Sequence, residues 1–495
     1  MTIKSNSKKY LLLMVMALGV GLFGNAGPSH ASIEPSNKNK QTLVLQNATV
    51  VDVQSGKLEE DQTIIVVGNK IQQIGDSDEV EIPGEAQVRD AAGQYVIPGL
   101  WDMHIHLMND HKLAFPLFLS NGVTGVRDMG ANLKSIDLWK KAIRDGMNAP
   151  RIAYAGSTLV QGEDMPHLID LRTEKQAREA VRLMAKKGAD HIKVYSWLPR
   201  PLFIAAADEA NKLGLPVTGH LPALVRATEA VRVGMKSMEH LNGMFIATSS
   251  LEEDLLKNPK LMDMTTFVKS EIRAAKSYDP KRAAKLFQAF KQNEVWQVPT
   301  LIAMNSLFKT ELSERAKYVP TEIQKQWIQA IRPIKDNPKE FVQTREYNSL
   351  LPGLVRKMNE AGVPLLAGTD AAVLIPNQVF GFSLHDELEL LVKSGLTPLQ
   401  ALQTATLNPA KYLGREHELG TVEEGKLADL VLLAANPLKD IRNTTAISAV
   451  ILDGKLMEKQ DLTKAIKTYQ VIKMSDVKNQ PQSSQPANKH MFHQH

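Results

Sequence analysis

The sequence predicts an α/β protein in which a (β/α)8, TIM-like barrel carries a small β-sandwich built from both chain ends. Two observations predict this fold. Short β-rich runs with turn residues between them fill residues 42–95 and return at 430–433 and 447–452. Between these two regions, residues 96–415 alternate short apolar strands with helical stretches, over a length close to the ~250 residues of such a barrel with insertions.

The N-terminal segment has the order of regions that is typical of a secretory signal peptide. Three lysines within residues 4–9 precede an apolar and small-residue run at 11–24, and small residues follow up to Ala31. This run is shorter than the ~20 residues that span a bilayer. We therefore expect cleavage of residues 1–31, a flexible linker at 32–41 and no stable membrane anchor. The mature protein is expected to be exported, and the choice between periplasm and medium stays open.

Composition and charge exclude several classes of protein. Hydrophobic residues make up 43% and charged residues 23% of the chain, which is ordinary for a soluble globular protein. Loss of the signal peptide lowers the formal net charge from +5 to +2, a surplus too small to indicate a nucleic-acid partner. The chain has no Cys. It therefore forms no disulfide, and His, Asp, Glu and modified Lys remain as metal ligands.

The predicted elements follow in order along the chain. The first part of the β-sandwich, residues 42–95, has strands separated by turns at Gly56, Gly68 and Gly75, and its second part spans residues 416–460. A capping box begins at Thr173 and another at Thr397. Eight barrel strands are predicted, at 97–106, 123–127, 151–156, 190–195, 215–220, 236–240, 295–301 and 363–369.

Two connections and the C-terminal end do not fit the simple alternation. Residues 242–294 and 302–350 are too long for plain loops, and we expect helical insertions over the strand ends, where lids are usually built. Residues 461–495 form a C-terminal extension that is expected to be disordered at its end. The tail histidines His490, His493 and His495 are expected to be solvated rather than functional.

A His-x-His pair ends the first barrel strand. Side chains alternate along a strand, so His104 and His106 point to one face, which at the end of an apolar barrel strand is the interior. The motif alone is weak, because both residues could be ordinary polar side chains in a strand-end loop. Further candidates stand where later strands give way to loops, namely His220, His240 and Asp370. Imidazole and carboxylate ligands in this number predict a site for zinc or another first-row divalent ion.

Lys193 lies amid apolar strand residues, where a buried ammonium beside bound cations would be strongly disfavoured. Reaction with carbon dioxide would convert it into N6-carboxylysine, an anion whose two oxygens can bridge two metals. The alternative is that Lys193 points outward and its amine reaches solvent. Strand parity would then turn His191 and Tyr195 outward as well, and we favour the inward orientation.

In its order of His-x-His, Lys, His, His and Asp on successive strands, the sequence resembles the amidohydrolase superfamily, and most of all its imidazolonepropionase and prolidase-related branch. The segments 96–107, 405–410 and 420–430 support the resemblance, which covers nearly the whole mature chain. It implies two divalent ions per chain, expected to be zinc. It further implies that His104, His106 and Asp370 hold the more buried ion, that His220 and His240 hold the more exposed one, and that Lys193 bridges them.

These assignments predict a hydrolase that uses metal-activated water. The resemblance to the prolidase-related branch implies that it cleaves an amide bond, in a dipeptide or N-acyl amino acid. Asp370 is expected to transfer the proton and Tyr195 to donate to the oxyanion or to line the pocket. Arg127 and Arg200 are candidates for binding a substrate carboxylate, and His385 is expected to support a ligand rather than to be one. A lactone, carbamate or phosphotriester hydrolase, and a secreted metal-binding protein without turnover, stay open as alternatives. The partner is a small-molecule substrate, and whether the chain forms a homo-oligomer stays open.

Overall fold

The computed structural model describes residues 41–163 and 165–470, and the side chains of all of these except 468–470. The predicted signal peptide, most of the linker and the tail histidines lie outside the described residues. Among the described residues, no helix combines the length and apolarity that crossing a bilayer requires.

Seventeen strands form in the described part of the chain. They are β1 (Thr42–Val51), β2 (Leu58–Val67), β3 (Lys70–Asp76), β4 (Gln87–Asp90), β5 (Tyr95–Pro98), β6 (Leu100–Ile105), β7 (Val123–Asp128), β8 (Arg151–Tyr154), β9 (Thr158–Val160), β10 (Leu168–Asp170), β11 (Ile192–Val194), β12 (Val217–Gly219), β13 (Met235–Glu239), β14 (Trp296–Val298), β15 (Leu430–Leu433), β16 (Ile447–Leu452) and β17 (Lys455–Glu458).

The helices mostly follow these strands in alternation. They are α1 (His111–Ser120), α2 (Leu133–Arg144), α3 (Glu174–Lys186), α4 (Arg200–Lys212), α5 (Ala227–Arg232), α6 (Met244–Ala247), α7 (Glu252–Leu256), α8 (Met264–Ala275), α9 (Pro280–Gln292), α10 (Leu301–Leu307), α11 (Thr321–Asp336), α12 (Val342–Glu360), α13 (Phe382–Lys393), α14 (Pro398–Thr404), α15 (Leu407–Leu413) and α16 (Lys459–Gln470). Short 3-10 helices cover Pro259–Met262, Glu314–Tyr318, Pro338–Phe341 and Ile441–Thr445.

Strands from both ends of the chain share one mixed sheet of eight strands. Its order is β17-β16-β15-β5-β1-β2-β3, with β4 paired to β1 as well. β15 joins the two halves by pairing antiparallel with both β5 and β16. Alternate apolar residues from β1, β2, β5, β15 and β16 meet in one buried cluster. The two distant β-rich regions of the sequence therefore bury a common core.

The middle of the chain has a mixed α/β fold with two parallel sheets, β6-β7-β8 and β10-β9-β11-β12-β13-β14. Seven of the eight predicted barrel strands coincide with β6, β7, β8, β11, β12, β13 and β14. The eighth, at 363–369, does not form a regular strand. Residues 364–371 nevertheless hydrogen-bond to Gln297 on one side and to residues 103–106 on the other, with isolated parallel bridges at Leu365 and Ala371.

Close packing explains the glycine in this segment. A Cβ on Gly368 would lie 2.6 Å from Val298 and 2.7 Å from His104, so the backbone passes between these two side chains at a distance that only glycine allows. Two residues later, Asp370 lies in the left-handed region, with φ 57°. The chain therefore leaves the extended conformation at the residue that the sequence marks as a ligand.

Helix boundaries agree with the signals in the sequence. Thr173 and Thr397 both form complete capping boxes, with Gln176 and Gln400 respectively. Gly188 has φ 79° directly after the C-cap of α3, where glycine avoids the cost of a left-handed residue. The predicted insertions are helical, because residues 242–294 hold α6 to α9 and residues 302–350 hold most of α10, all of α11 and the start of α12.

Candidate metal centre

The candidate ligands stand at or beyond the carboxyl ends of the parallel strands. His104 lies in β6 and His106 just after it, Lys193 is the central residue of β11, and His220 and His240 directly follow β12 and β13. Within each sheet the parallel strands have their carboxyl ends at one edge, and residues 364–371 link the two sheets through hydrogen bonds to β14 and β6.

Distances between side-chain atoms show how close the residues lie. Oδ1 of Asp370 is 3.3 Å from Nε2 of His104 and 3.3 Å from Nε2 of His106. Nζ of Lys193 is 3.4 Å from Nε2 of His104. One potential ligand atom from each of His104, His240 and Asp370 lies within 4.8 Å of the other two. These polar atoms surround a common point.

The imidazole rings pack around the same point. The ring centroids of His104 and His240 are 4.7 Å apart, those of His220 and His240 are 4.7 Å apart, and those of His104 and His106 are 5.4 Å apart. His104 is fully buried and His220 nearly so. The structure thus brings together all six residues that the sequence nominates as ligands.

Each of the four imidazoles has a partner on its Nδ1 atom. His104 Nδ1 is 2.8 Å from Oε2 of Glu239, and His106 Nδ1 is 3.4 Å from the carbonyl oxygen of Gly130. Nδ1 of His220 is 2.7 Å from Ser196 Oγ, and Nδ1 of His240 is 2.7 Å from Thr300 Oγ1. A metal-binding histidine usually engages one ring nitrogen in this way and binds the metal through the other.

Burial disfavours the charged forms of these groups. It lowers the pKa of His104 and of His220 well below the ordinary value, and the nearby Lys193 ammonium lowers it further. Burial also lowers the pKa of Lys193 to about 8, although the carboxylates of Glu239 and Asp370 act in the opposite direction. Neutral imidazoles present the lone pair that a metal requires, and a neutral amine is the form that reacts with carbon dioxide.

Backbone strain concentrates at the site. His240, Leu241, Thr300 and Asp370 all have positive φ, between 48° and 63°, although none is glycine. Such conformations cost of order 1–3 kcal/mol each and persist where the surrounding structure enforces them. Here they turn the His240 and Asp370 side chains away from their strands and toward the other ligands.

Tyr195 lies beside the cluster, as the inward orientation of Lys193 predicts. Its ring centroid is 4.4 Å from that of His220. Burial raises the pKa of the phenol well above its ordinary value, and the charge of Asp370 adds to the effect. The hydroxyl is therefore a hydrogen-bond donor at neutral pH.

The proposed role of Arg127 in binding a substrate carboxylate does not fit the structure. Arg127 is fully buried, and its guanidinium donates to Oε1 and Oε2 of Glu239 at 2.9 and 3.0 Å and to Ser237 Oγ at 2.9 Å. A guanidinium that is already paired and enclosed has no face for a ligand. Arg200 differs, because its side chain is 52% exposed, although its Nη2 lies 2.5 Å from Oε1 of Glu229.

The expected support of a ligand by His385 is also wrong. Its Nδ1 lies 2.9 Å from Thr444 Oγ1 and its Nε2 lies 3.1 Å from the carbonyl oxygen of Asn121. Both ring nitrogens are thus used in joining α13 to the end of α1 and to the 3-10 helix Ile441–Thr445. The buried histidine serves packing between these elements.

Sequence reasoning missed the residues that orient the ligands, and above all Glu239. The sequence does indicate a role for Glu239, because a carboxylate inside an apolar strand and next to a candidate ligand needs a buried partner. Asp102 was missed as well. It accepts hydrogen bonds from the backbone N–H and the hydroxyl of Thr369, at 3.0 and 2.7 Å, and so fixes the residue before Asp370.

Comparison with known proteins gives consistent matches. A family model described as the amidohydrolase family matches residues 352–457. The chain is 24% identical to ochratoxinase of Aspergillus niger over 398 residues. The aligned region covers 73% of this chain and 75% of that protein.

Solved structures show a similar fold. A putative prolidase from Bifidobacterium longum aligns with a TM-score of 0.62 and 24% identity, covering 87% of this chain and 99% of that one. A Xaa-Pro dipeptidase with bound methionine in its active site aligns with a TM-score of 0.62 and 22% identity, covering 84% of this chain and 100% of that one. The α/β fold described above is therefore shared with these proteins.

Proposed function

We propose that the chain is a member of the amidohydrolase superfamily and that it hydrolyses an amide bond at a centre of two divalent metal ions. The ligands are His104, His106, Lys193, His220, His240 and Asp370. One observation carries the proposal: four imidazoles with occupied Nδ1 atoms, a buried lysine and a carboxylate converge at the carboxyl ends of parallel strands. Without a metal, so many buried polar groups would be costly to hold together.

The donor set fits zinc. Imidazole nitrogen and carboxylate oxygen are its common ligands in a protein without Cys, and a catalytic centre combines them with an open position for water. His104, His106 and Asp370 would hold one ion, and His220 and His240 the other. Lys193 would bridge them as N6-carboxylysine, which forms when its neutral amine adds to carbon dioxide and releases a proton.

The fold offers the frame for such a centre. We take the two parallel sheets to form a (β/α)8 barrel, closed by the hydrogen bonds of residues 364–371 to β14 and β6. In this fold the active site lies at the carboxyl ends of the strands. The eight-stranded mixed sheet with its enclosed apolar cluster would be the small β-sandwich.

The reaction uses the groups already placed. When bound, the two ions would supply a water of lowered pKa and polarise the scissile carbonyl. Asp370, at 3.3 Å from the imidazoles of His104 and His106, would take the proton of the attacking water and deliver it to the leaving nitrogen. Tyr195, protonated and beside His220, would donate a hydrogen bond to the oxyanion.

The substrate class that we propose is an amide with a free carboxylate, such as a dipeptide or an N-acyl amino acid. The similarity to a putative prolidase and to a Xaa-Pro dipeptidase with methionine in its active site supports this class. Arg127 is enclosed and paired with Glu239, so we propose the more exposed Arg200, whose partner is Glu229, as the candidate for binding that carboxylate.

A substrate panel with a metal assay tests the function. Protein purified without added metal is analysed for zinc, and Xaa-Pro and other dipeptides, N-acyl amino acids, a lactone and a phosphotriester are compared by kcat/KM. We expect two equivalents of zinc per chain, loss of activity with a chelator, and preference for amides with a free carboxylate. A tenfold preference for the lactone or phosphotriester, about 1.4 kcal/mol in transition-state binding, would favour those substrates instead. Bound metal with no turnover at all would indicate a metal-binding protein.

We further propose that the enzyme works outside the cytoplasm after cleavage near Ala31. N-terminal sequencing of protein from the periplasm and the medium tests this. A start near Ser32 is expected, whereas an intact Met1 on a membrane-bound product would contradict it.

A further inference from the structure

The four imidazoles of the candidate centre have chemically different partners on Nδ1. The partner of His104 is a carboxylate, that of His106 is a backbone carbonyl, and those of His220 and His240 are the hydroxyls of Ser196 and Thr300. The only anion among these four partners therefore belongs to His104.

Glu239 is held rigidly in place. It is the last residue of β13 and has no exposed surface. Its carboxylate accepts hydrogen bonds from the Arg127 guanidinium at 2.9 and 3.0 Å and from Ser237 Oγ at 2.5 Å, in addition to its contact with His104. Every oxygen of the side chain thus has a defined donor.

Arg127 is anchored from other directions as well. Its Nε donates to the carbonyl oxygen of Met103 at 2.7 Å, and its guanidinium lies 4.8 Å from the centroid of the Tyr412 ring. Pairing offsets the cost of burying the two charges, since each would be costly alone. Arg127 and Glu239 therefore form one enclosed ion pair.

An anionic acceptor changes the imidazole that donates to it. The hydrogen bond to Oε2 fixes the His104 tautomer with the proton on Nδ1 and leaves the lone pair on Nε2. It also raises the basicity of Nε2 and so strengthens it as a ligand. The neutral hydroxyls beside His220 and His240 raise the basicity of Nε2 less than a carboxylate does.

We propose that Glu239, held by Arg127, is a positioning residue that gives the two metal sites different affinities. The ion bound by His104, His106 and Asp370 is retained more tightly than the ion bound by His220 and His240. This inference rests on the proposed function, because it requires that the centre binds two ions.

The test measures zinc affinity rather than turnover. The full-length mature protein is titrated against a chromogenic chelator, and the two equivalents are resolved in wild type, in Glu239→Gln and in Ser196→Ala. We expect wild type to release its two equivalents with affinities at least tenfold apart. Glu239→Gln should weaken the tighter equivalent by about 10- to 100-fold, whereas Ser196→Ala should affect only the weaker one.

Glu252→Gln is the matched control. Glu252 is also a buried glutamate paired with arginines, Arg226 and Arg282, but it contacts no candidate ligand. Loss of its charge should leave both zinc affinities unchanged. An equal loss of affinity in Glu252→Gln and Glu239→Gln would assign the effect to general destabilisation and overturn the inference.

The remaining outcomes are decisive too. Two equivalents of equal affinity in wild type, or an unchanged tighter equivalent in folded Glu239→Gln, would refute the role of Glu239 and leave the proposed function standing. A protein that binds no zinc would refute the proposed function itself. If Glu239→Gln does not fold, Glu239→Asp replaces it, and it should also weaken the tighter equivalent because its shorter side chain draws the carboxylate away from Nδ1.

Discussion

A buried cluster of three charges ties the parallel sheets to the mixed sheet, and its removal should destabilise the whole protein. Arg151, the first residue of β8, donates to Oδ2 of Asp429 at 2.5 Å and to Oδ1 of Asp453 at 3.1 Å. None of the three residues is more than 5% exposed. Asp429 also accepts the backbone N–H of Asp453 at 2.7 Å, which orders the turn between β16 and β17.

Arg151→Met keeps much of the apolar volume and removes the charge. The two enclosed carboxylates then lose the guanidinium that they share, and breaking a buried pair in this way costs about 3–5 kcal/mol. Urea denaturation followed by tryptophan fluorescence should show this loss as a lower midpoint. Arg172→Met is the matched control, because the Arg172–Asp170 pair is largely exposed and such pairs contribute about 0–1 kcal/mol.

The same variant separates stability from catalysis. Arg151 begins its strand, so it lies at the edge opposite to the candidate metal centre. Folded Arg151→Met should therefore keep the kcat of wild type at temperatures well below its unfolding transition. A loss of less than about 1 kcal/mol in the free energy of unfolding would refute the reasoning about the buried cluster, and a large loss of kcat in the folded protein would refute its separation from the site.

Three further predictions address the site and one helix terminus. Lys193→Ala should lose metal and activity, with partial rescue by short free carboxylates. Lys193→Arg should be no better, because it keeps the cation, and full activity in either variant would exclude the carboxylysine bridge. Asp370→Asn should lower kcat by about 100-fold or more, since proton transfer contributes about 10²–10⁴, and unchanged kcat would contradict its role. Glu271 accepts backbone hydrogen bonds at the start of α6, and burial raises its pKa from 4.5 to about 8. The folded state thus keeps a proton that the unfolded chain releases above pH 4.5, so this contribution to stability is present at low pH and is lost as the pH rises to about 8. Relative to Glu271→Gln, the stability of wild type should fall over this range by at most about 1.4 kcal/mol per pH unit, and parallel urea-denaturation profiles for the two proteins would contradict the assignment.

Much of the architecture could be predicted because it is recorded locally. The strands near residues 123, 430 and 447 begin where the apolar and turn residues predict, and the capping boxes at Thr173 and Thr397 form as expected. Each of these signals acts within a few residues of chain. Strand parity, which is equally local, predicted that Lys193 and Tyr195 share the side that faces the site.

The predictions that failed depend on contacts between distant segments. The apolar segment 363–369 predicts a regular strand, but its pairing with Gln297 and with residues 103–106 gives only isolated bridges. Arg127 near a strand end predicts a substrate ligand, whereas Glu239, 112 residues further along the chain, already occupies its guanidinium. No pattern around Arg127 could reveal this partner.

By itself, the sequence determined which residues can serve as ligands and that both chain ends contribute strands, because residue type and strand periodicity are properties of short segments. Only the tertiary structure decided which groups engage the Nδ1 atoms of the histidines. The Nδ1 partners of His104, His106, His220 and His240 lie between 24 and 135 residues away in the chain. A hydrogen bond over such separations depends on sheet register and burial, and these are fixed only when the strands pack together.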